Sequence, residues 1–455
     1  MSFLVKLRLF LKQAFSRIRN EEIKRNLLQA IPFWIASVIT GIVAVIYSRV
    51  FSLAEKLAAN IYTQDSKWLF VLTPTCFLIS WWIVKQYASY AKGSGIPQVM
   101  AAIDLSAPNR SEVVNKLLGF RIIIVKIISS LIMACGGGAI GREGPTIQIS
   151  ASIFRIVNEK LPTWMPKIAK KNILVTGAAA GLAAAFNTPL GGIVFAIEEL
   201  TKTHFSFYKT AIFSSVIIAG LTAQGLIGPY LYLGYPQMIN ISAWVVAPVI
   251  LVAVIAGISG SGMSKLVLAI LRWKSGLKST RHHVVYIIIS ALAFAAIAYF
   301  NPVIIGSGKH IMEQVLFTGD KHSTWYNPFL RIIGPVLSFT SGGAGGIFAP
   351  ALGAGASIGS VIAGWFQLSE SNTNLLALTG MVGFLTGVTR SPFTSTILVL
   401  EMTDRHSVIF YLILAGMVSS LISVLVDKHS LYDHLKHQYI RDLHREEKIS
   451  NKKKL

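Results

Sequence analysis

Apolar runs alternate with short polar breaks along almost the whole chain. They cover residues 31–47, 69–84, 122–140, 172–197, 210–227, 243–258, 285–299, 329–339, 374–400 and 408–426. Several are long enough to cross a ~30 Å hydrocarbon core as a helix, which takes about 20 residues. Others are short, or are interrupted by glycine and proline. Interrupted backbone survives at membrane depth only where it lines a cavity or is covered by protein. The pattern predicts an all-α polytopic membrane protein whose broken helices meet inside it.

Composition points the same way. Apolar residues make up 53% of the 455 residues and charged residues 14%, with a mean hydropathy of +0.59. A soluble chain of this length needs more charge to cover its surface. The net charge is +22, from 42 basic and 20 acidic residues, which raises nucleic acid as a partner. The positions of the charges argue against it. Lys6, Arg8, Lys12, Arg17, Arg19, Lys24 and Arg25 open the chain and "NKKKL" closes it. Lys167, Lys170 and Lys171 mark one loop; Lys265, Arg272, Lys274, Lys278 and Arg281 mark another. This is the positive-inside distribution. It predicts a multi-pass protein of the inner or plasma membrane, with both termini cytoplasmic and an even number of crossings. Residues 1–28 read as a basic amphipathic helix lying on inner-leaflet lipid. A signal peptide would need an apolar core that Lys6, Arg8 and Lys12 interrupt. Residues 436–455 read as a basic cytoplasmic tail. Cys76 and Cys135 both lie in apolar runs and imply neither a disulfide framework nor a metal site. No cofactor is expected.

The chain repeats itself. "TGAAAGLAAAFNTPLGGIVFAIEE" begins at Thr176 and "TGMVGFLTGVTRSPFTSTILVLEM" at Thr379, an offset of 203. In both, proline follows the threonine by 13 residues and glutamate follows the proline by 9. "GREGP" at 141–145 is echoed by "GIFAP" at 346–350, offset 205, and "GSG" at 93–95 by "GSG" at 306–308. Two halves with glycine- and proline-broken segments in matching places point to a transport site at the repeat interface. The expected halves are 29–228 and 229–435. The echoes alone leave open whether they run parallel or inverted.

"GSGIP", "GREGP" and "GIFAP" share a physical logic. Glycine lets backbone approach a ligand closely, and a proline just afterwards suits the first turn of a new helix. Each segment therefore offers unpaired N–H groups at the positive end of a helix dipole, which is a place for an anion. Three such ends aimed at one spot could hold a dehydrated halide without a full positive charge, which would bind it too tightly to release. Glu143, inside "GREGP", is a carboxylate at membrane depth. That costs at least ~2.5–3.5 kcal/mol and marks a functional residue by default. Its neighbour Arg142 is a weak ion-pair partner, because adjacent helical residues point apart.

With these residues in view the sequence resembles the CLC family of chloride channels and chloride/proton exchangers. "GSGIPQV", "GREGPTIQIS", "GAAAGLAAAFNTPLGGIVFAIEE", "GGIFAP" and "ILVLEMTD" stand in the family's order, over roughly residues 30 to 435. The resemblance implies two inverted-topology halves of tilted helices in a homodimer, with one pathway per subunit. It carries roles onto individual positions. Ser94, with Gly95 beside it, would bind the central anion from the inner side, and Tyr432 from the other side. Ile347 and Phe348 would donate backbone N–H groups. Glu143 would be the outer gate. Lys126 and Arg142 would support the site with positive potential. Glu199 falls where exchangers carry an inner proton glutamate, and Glu198 would line the inner proton path. Fluoride-selective relatives change the serine of "GSGIP" and the proline of "GREGP"; both are ordinary here. Gln98 and Met100 replace acids of some bacterial relatives. Ala344 and Gly345 stand where a proline–glycine pair is frequent. With 23 residues after Tyr432, the paired CBS domains of many relatives are expected to be absent.

Other acids and histidines read more simply. Glu401 and Asp404, at the matching point of the second half, read as structural, and His282 and His283 as solvated. The expected function is chloride/proton antiport, with chloride and protons as the partners. A passive chloride channel is the alternative, and Glu199 argues against it. A cation/proton antiporter would want intramembrane Asp and carbonyl ends facing the ion. An enzyme would need a nucleophile with its base, and neither H-E-x-x-H nor paired intramembrane Asp occurs in the sequence.

Overall fold

The structure is a computed structural model and describes residues 20–106, 111–162, 165, 168–201, 209–228 and 231–452. Residues 1–19, most of the expected surface helix, lie outside it. Among the described residues there are eighteen α-helices and no strand. The first half holds α1 (Glu21–Gln64), α2 (Leu69–Tyr87), α3 (Ile96–Asp104), α4 (Ser111–Leu117) and α5 (Phe120–Cys135). It continues with α6 (Glu143–Glu159), α7 (Lys170–Phe186), α8 (Pro189–Phe195) and α9 (Lys209–Ile227). A π-helical turn, Ala196–Thr201, extends α8.

The second half holds α10 (Val246–Ser275), α11 (Thr280–Phe300), α12 (Lys309–Phe317) and α13 (Asn327–Ser341). Then come α14 (Phe348–Trp365), α15 (Glu370–Thr389), α16 (Pro392–Thr403) and α17 (Ile409–Val426). A last helix, α18 (Leu431–Lys452), follows. The expected boundaries at 28 and 435 both fall inside helices. α1 runs unbroken through residue 28, because Pro32 in its interior does not stop it, and α18 runs through 435.

The apolar run 172–197 is two helices, as is 374–400. Asn187 and Arg390 take left-handed backbone at the two breaks, and Pro189 and Pro392 start the next helix. Among the described residues eight helices are long and apolar enough to cross a membrane. α1 has 44 residues, or ~66 Å at 1.5 Å per residue, so it cannot stand upright within a ~30 Å core.

Burial sorts the helices into two classes. α6, α7, α14 and α15 are covered almost all round. α1, α9, α11 and α17 present large side chains outward, among them Leu53, Leu221, Phe300 and Leu425. The inner helices approach through small residues. A Cβ on Gly355 of α14 would collide with the carbonyl of Gly380 on α15, and Gly380 returns the constraint. Such contacts replace the hydrophobic drive that lipid removes.

Helix α6 packs on α7 as α14 packs on α15, and α1 on α9 as α10 on α17. At the centre the halves exchange like for like. The Gly141 N–H donates to the Gly346 carbonyl at 2.8 Å, and the Gly346 N–H to the Gly141 carbonyl at 2.7 Å, in antiparallel register. Equivalent residues that swap equivalent bonds lie on a two-fold axis. The halves are two-fold related, as inverted-topology repeats are, with "GREGP" and "GIFAP" on that axis.

Candidate anion and proton site

The loop before α3 is pinned from two sides. The Lys126 ammonium, fully buried on α5, donates to the carbonyls of Ala91 at 2.7 Å and Gly93 at 2.8 Å. Gly93 donates to Gly343 at 2.8 Å and accepts from Gly345 at 3.0 Å, so both halves hold it. Gly95 sits at φ +105, and a Cβ there would meet Gln148 at 2.8 Å. Only glycine allows this turn. Ser94 is 2% exposed, and its hydroxyl has no partner among the described residues. Tyr432, the second residue of α18, is fully buried and its hydroxyl is equally unpartnered. Ser94 is its polar neighbour. The Tyr432 ring stacks on Phe348 with centroids 6.1 Å apart and an 11° tilt. Phe348 also meets Phe186 and Phe195. Two orphaned buried hydroxyls cost about 1–3 kcal/mol each, and an anion between them would accept from both.

"GREGP" fits around that spot. A Cβ on Gly144 would collide with the Ser94 hydroxyl, and one on Gly141 with a carboxylate oxygen of Glu143. The glycines that break the helix are the ones that leave room for both groups. Ile347 is the N-cap of α14 and Phe348 its first residue, so their N–H groups lie where no carbonyl of that helix reaches them. Glu143, first residue of α6, is 1% exposed. Its Oε1 accepts from the Tyr232 hydroxyl at 3.4 Å, and its Oε2 has no partner among the described residues. Arg142 turns away to α1, donating to the Ser48 carbonyl at 2.9 Å and the Ser52 hydroxyl at 3.0 Å.

Glu199 and Glu198 sit on the π-helical turn after α8, an irregularity frequent at functional sites. Glu199 is 3% exposed and accepts from the Ser391 hydroxyl at 2.5 Å. Ser391 is the N-cap of α16. Glu198 accepts from the backbone N–H groups of Phe393 at 3.2 Å and Thr394 at 2.7 Å. Glu401, 203 residues on, accepts from Leu190 N–H at 3.0 Å and Gly191 N–H at 2.7 Å. Each acid caps the other half's helix, at the end where the dipole favours a carboxylate. Asp404 pairs with His406 at 3.4 Å in an exposed position.

Sequence reasoning missed three groups. Arg331 is the counterpart of Lys126 at offset 205. It is fully buried on α13, and donates to the carbonyls of Val303, Ile304, Ile305 and Gly306 at 3.0–3.4 Å. The repeat offset would have found it. Ser391 is legible as an N-cap, standing before Pro392 as Thr188 stands before Pro189, whereas Tyr232 carries no signal beyond residue type. Among the described residues no group of three or more His, Cys, Asp or Glu gathers as a metal site.

A family model described as "Voltage gated chloride channel" matches residues 76–424. The H(+)/Cl(-) exchange transporter ClcA of Salmonella typhimurium is 29% identical over 461 residues, covering 93% of this chain and 93% of its own length. The protein of that name from Salmonella dublin is similar at the same identity and coverage. The crystal structure of a slow cyanobacterial Cl-/H+ antiporter matches with a TM-score of 0.78 at 21% identity, covering 91% of this chain and 98% of that one. A CLC-type fluoride/proton antiporter matches with a TM-score of 0.74 at 20% identity, covering 90% and 98%.

Proposed function

This chain belongs to the voltage gated chloride channel family, and from that premise we propose that it is a chloride/proton antiporter. The observation that carries the reading is the Glu143 carboxylate. It is buried at the two-fold crossing of the halves, beside the helix ends and orphaned hydroxyls that suit an anion. Chloride as substrate takes the hydroxyls of Ser94 and Tyr432 and the N–H groups of Ile347 and Phe348, with Gly95 giving the backbone room. Lys126 and Arg142 add positive potential without touching the ion.

Deprotonated, Glu143 is a tethered anion and competes with chloride for the same helix ends. Protonated, it loses that attraction and withdraws, so chloride passes. The proton reaches it from Glu199, which ties the two movements together in opposite directions. Glu198 lies at the start of that route, and its capping bonds to α16 keep the π-helical turn in place. Ser94 and Pro145 stand as chloride rather than fluoride selectivity requires under the family resemblance.

The exchange transporters and antiporters among the relatives support coupling, as does the burial of Glu199 against the Ser391 hydroxyl. A passive channel is the second reading, because coupling rests on few residues. We also carry forward a homodimer, an inner or plasma membrane location, cytoplasmic termini, and repeats divided near residue 228. The test is reconstitution into liposomes with chloride and pH recorded together. Proton movement driven uphill by a chloride gradient is the expected result. Chloride flux with no proton movement would leave the channel.

A further inference from the structure

The chain between the halves folds back over the gate. Leu233 N–H bonds the Met402 carbonyl at 3.1 Å, which anchors this linker to the end of α16. Tyr232, one residue earlier, is thereby driven inward and buried. Its ring meets Phe186 edge-on with centroids 5.0 Å apart. The Lys309 ammonium, from the first turn of α12, lies 5.2 Å from its centroid on the ring face. Its hydroxyl ends 3.4 Å from Glu143 Oε1.

The charged and titratable groups around Glu143 are Arg142 on its own segment, Glu55 and Tyr47 on α1, and Tyr432 on α18. Arg142 is committed to Ser48 and Ser52, Glu55 to the Ser307 N–H at 2.8 Å, and Tyr47 to the Ser130 hydroxyl at 2.7 Å. Among the described residues, Tyr232 is the only one whose side chain hydrogen-bonds the Glu143 carboxylate.

We infer that Tyr232 is a latch on the gate, a positioning residue whose phenol holds the deprotonated Glu143 carboxylate in the closed position. The inference rests on the reading of Glu143 as the gate. A phenol O–H donates to a carboxylate, and gains most when the acceptor is charged. A cation on the ring face draws electron density from the phenol and strengthens the donor. Protonating Glu143 removes the charge and most of the bond, so the latch opens with the gate. The latch therefore matters where the gate is charged and closed, and is silent where it is neutral and open. It makes the linker between the repeats a part of the transport cycle.

The test is chloride efflux from liposomes at pH 7.5 and pH 4.5, for the wild type, Tyr232→Phe, Glu143→Ala and the double variant. Tyr232→Phe removes one hydroxyl and keeps the ring on Phe186. Its efflux at pH 7.5 is expected to rise about fivefold, the order of one ordinary hydrogen bond, as suits the long 3.4 Å contact, and to stay within about twofold of wild type at pH 4.5. More chloride should pass per proton. With Glu143→Ala there is nothing to latch, and Tyr232→Phe should add no change. Lys309→Met, which takes the cation off the ring face and also gives up the exposed Lys309–Glu313 ion pair, should shift the same pH ratio less and in the same direction. An equal rise at both pH values, a rise that persists on Glu143→Ala, or no rise at pH 7.5 overturns the latch. Should Tyr232→Phe fail to fold, an unchanged pH ratio in Lys309→Met overturns it. Coupled proton transport surviving in Glu143→Ala would sink the gate assignment itself, a result distinct from a failed latch.

Discussion

Ser94 and Tyr432 bring neighbouring hydroxyls to a place where neither finds a hydrogen-bond partner of good geometry among the described residues. If chloride is what they wait for, Ser94→Ala removes one donor and no backbone. The preference for chloride over the larger, less strongly hydrated nitrate should then fall roughly fivefold, about 1 kcal/mol. Competing-anion flux measures it, and an unchanged ratio removes Ser94 from the selectivity site. Glu199→Gln keeps the shape but cannot hand on a proton. Chloride flux should continue while chloride-driven proton movement stops; undiminished proton movement would make Glu199 structural. At this scale, what could be seen from sequence depended on backbone. Ser94 and Glu143 are visible because glycines and a proline around them announce a break. Tyr232 is an ordinary residue in ordinary surroundings, and Ser391 reads only as the cap before Pro392; the fold alone carries them to Glu143 and Glu199. Nothing in "YLYLGYP" distinguishes Tyr232 from the tyrosines beside it.

Helix ends are the working parts at the next scale. Glu198 on α16 and Glu401 on α8 cap each other's halves, and so hold the turn that carries Glu199. Glu401→Ala should cost about 1–2 kcal/mol, the usual worth of a lost cap, read as a lower midpoint of thermal unfolding in detergent. It should also weaken proton coupling through α8. A stable variant with full coupling would show that the cap is decorative. A second clamp sets the start of α18. Burial pushes the Asp427 carboxyl up, but the His429 N–H, His434 and Arg390 outweigh it and hold it below the usual range. A depressed folded value stabilises above the unfolded value of about 3.9 and is lost as pH falls through the folded one. Asp427→Asn should therefore be less stable than wild type at pH 7, by about 1 kcal/mol, and the gap should close below about pH 4. A gap that persists in acid contradicts the clamp. The element boundaries were less visible than the breaks. Runs 172–197 and 374–400 each read as one apolar stretch, because Asn187 and Arg390 interrupt them by conformation and not by polarity alone. The division at residue 28 is not a break in the backbone, since α1 runs straight through it.

Across the whole molecule the organising fact is the two-fold exchange between Gly141 and Gly346. The repeat was visible as offsets of 203 and 205, and the all-α class as apolar runs. The direction of the second half was not, because a helical sequence reads alike whichever way it crosses a bilayer; the paired hydrogen bonds add the two-fold axis that relates the halves. The inversion places the positive ends of α6 and α14 at one point, and the proposed gate is a carboxylate that shares that point with a mobile anion. Coupling is the central claim, and one measurement bears on it most directly. Wild type and Glu143→Gln are reconstituted side by side, a chloride gradient is imposed, and external pH is followed across pH 4.5 to 7.5. The expected result is uphill proton movement in the wild type, and in Glu143→Gln a chloride flux nearly independent of pH with no proton movement. Protons still pumped by Glu143→Gln on chloride energy would contradict the account.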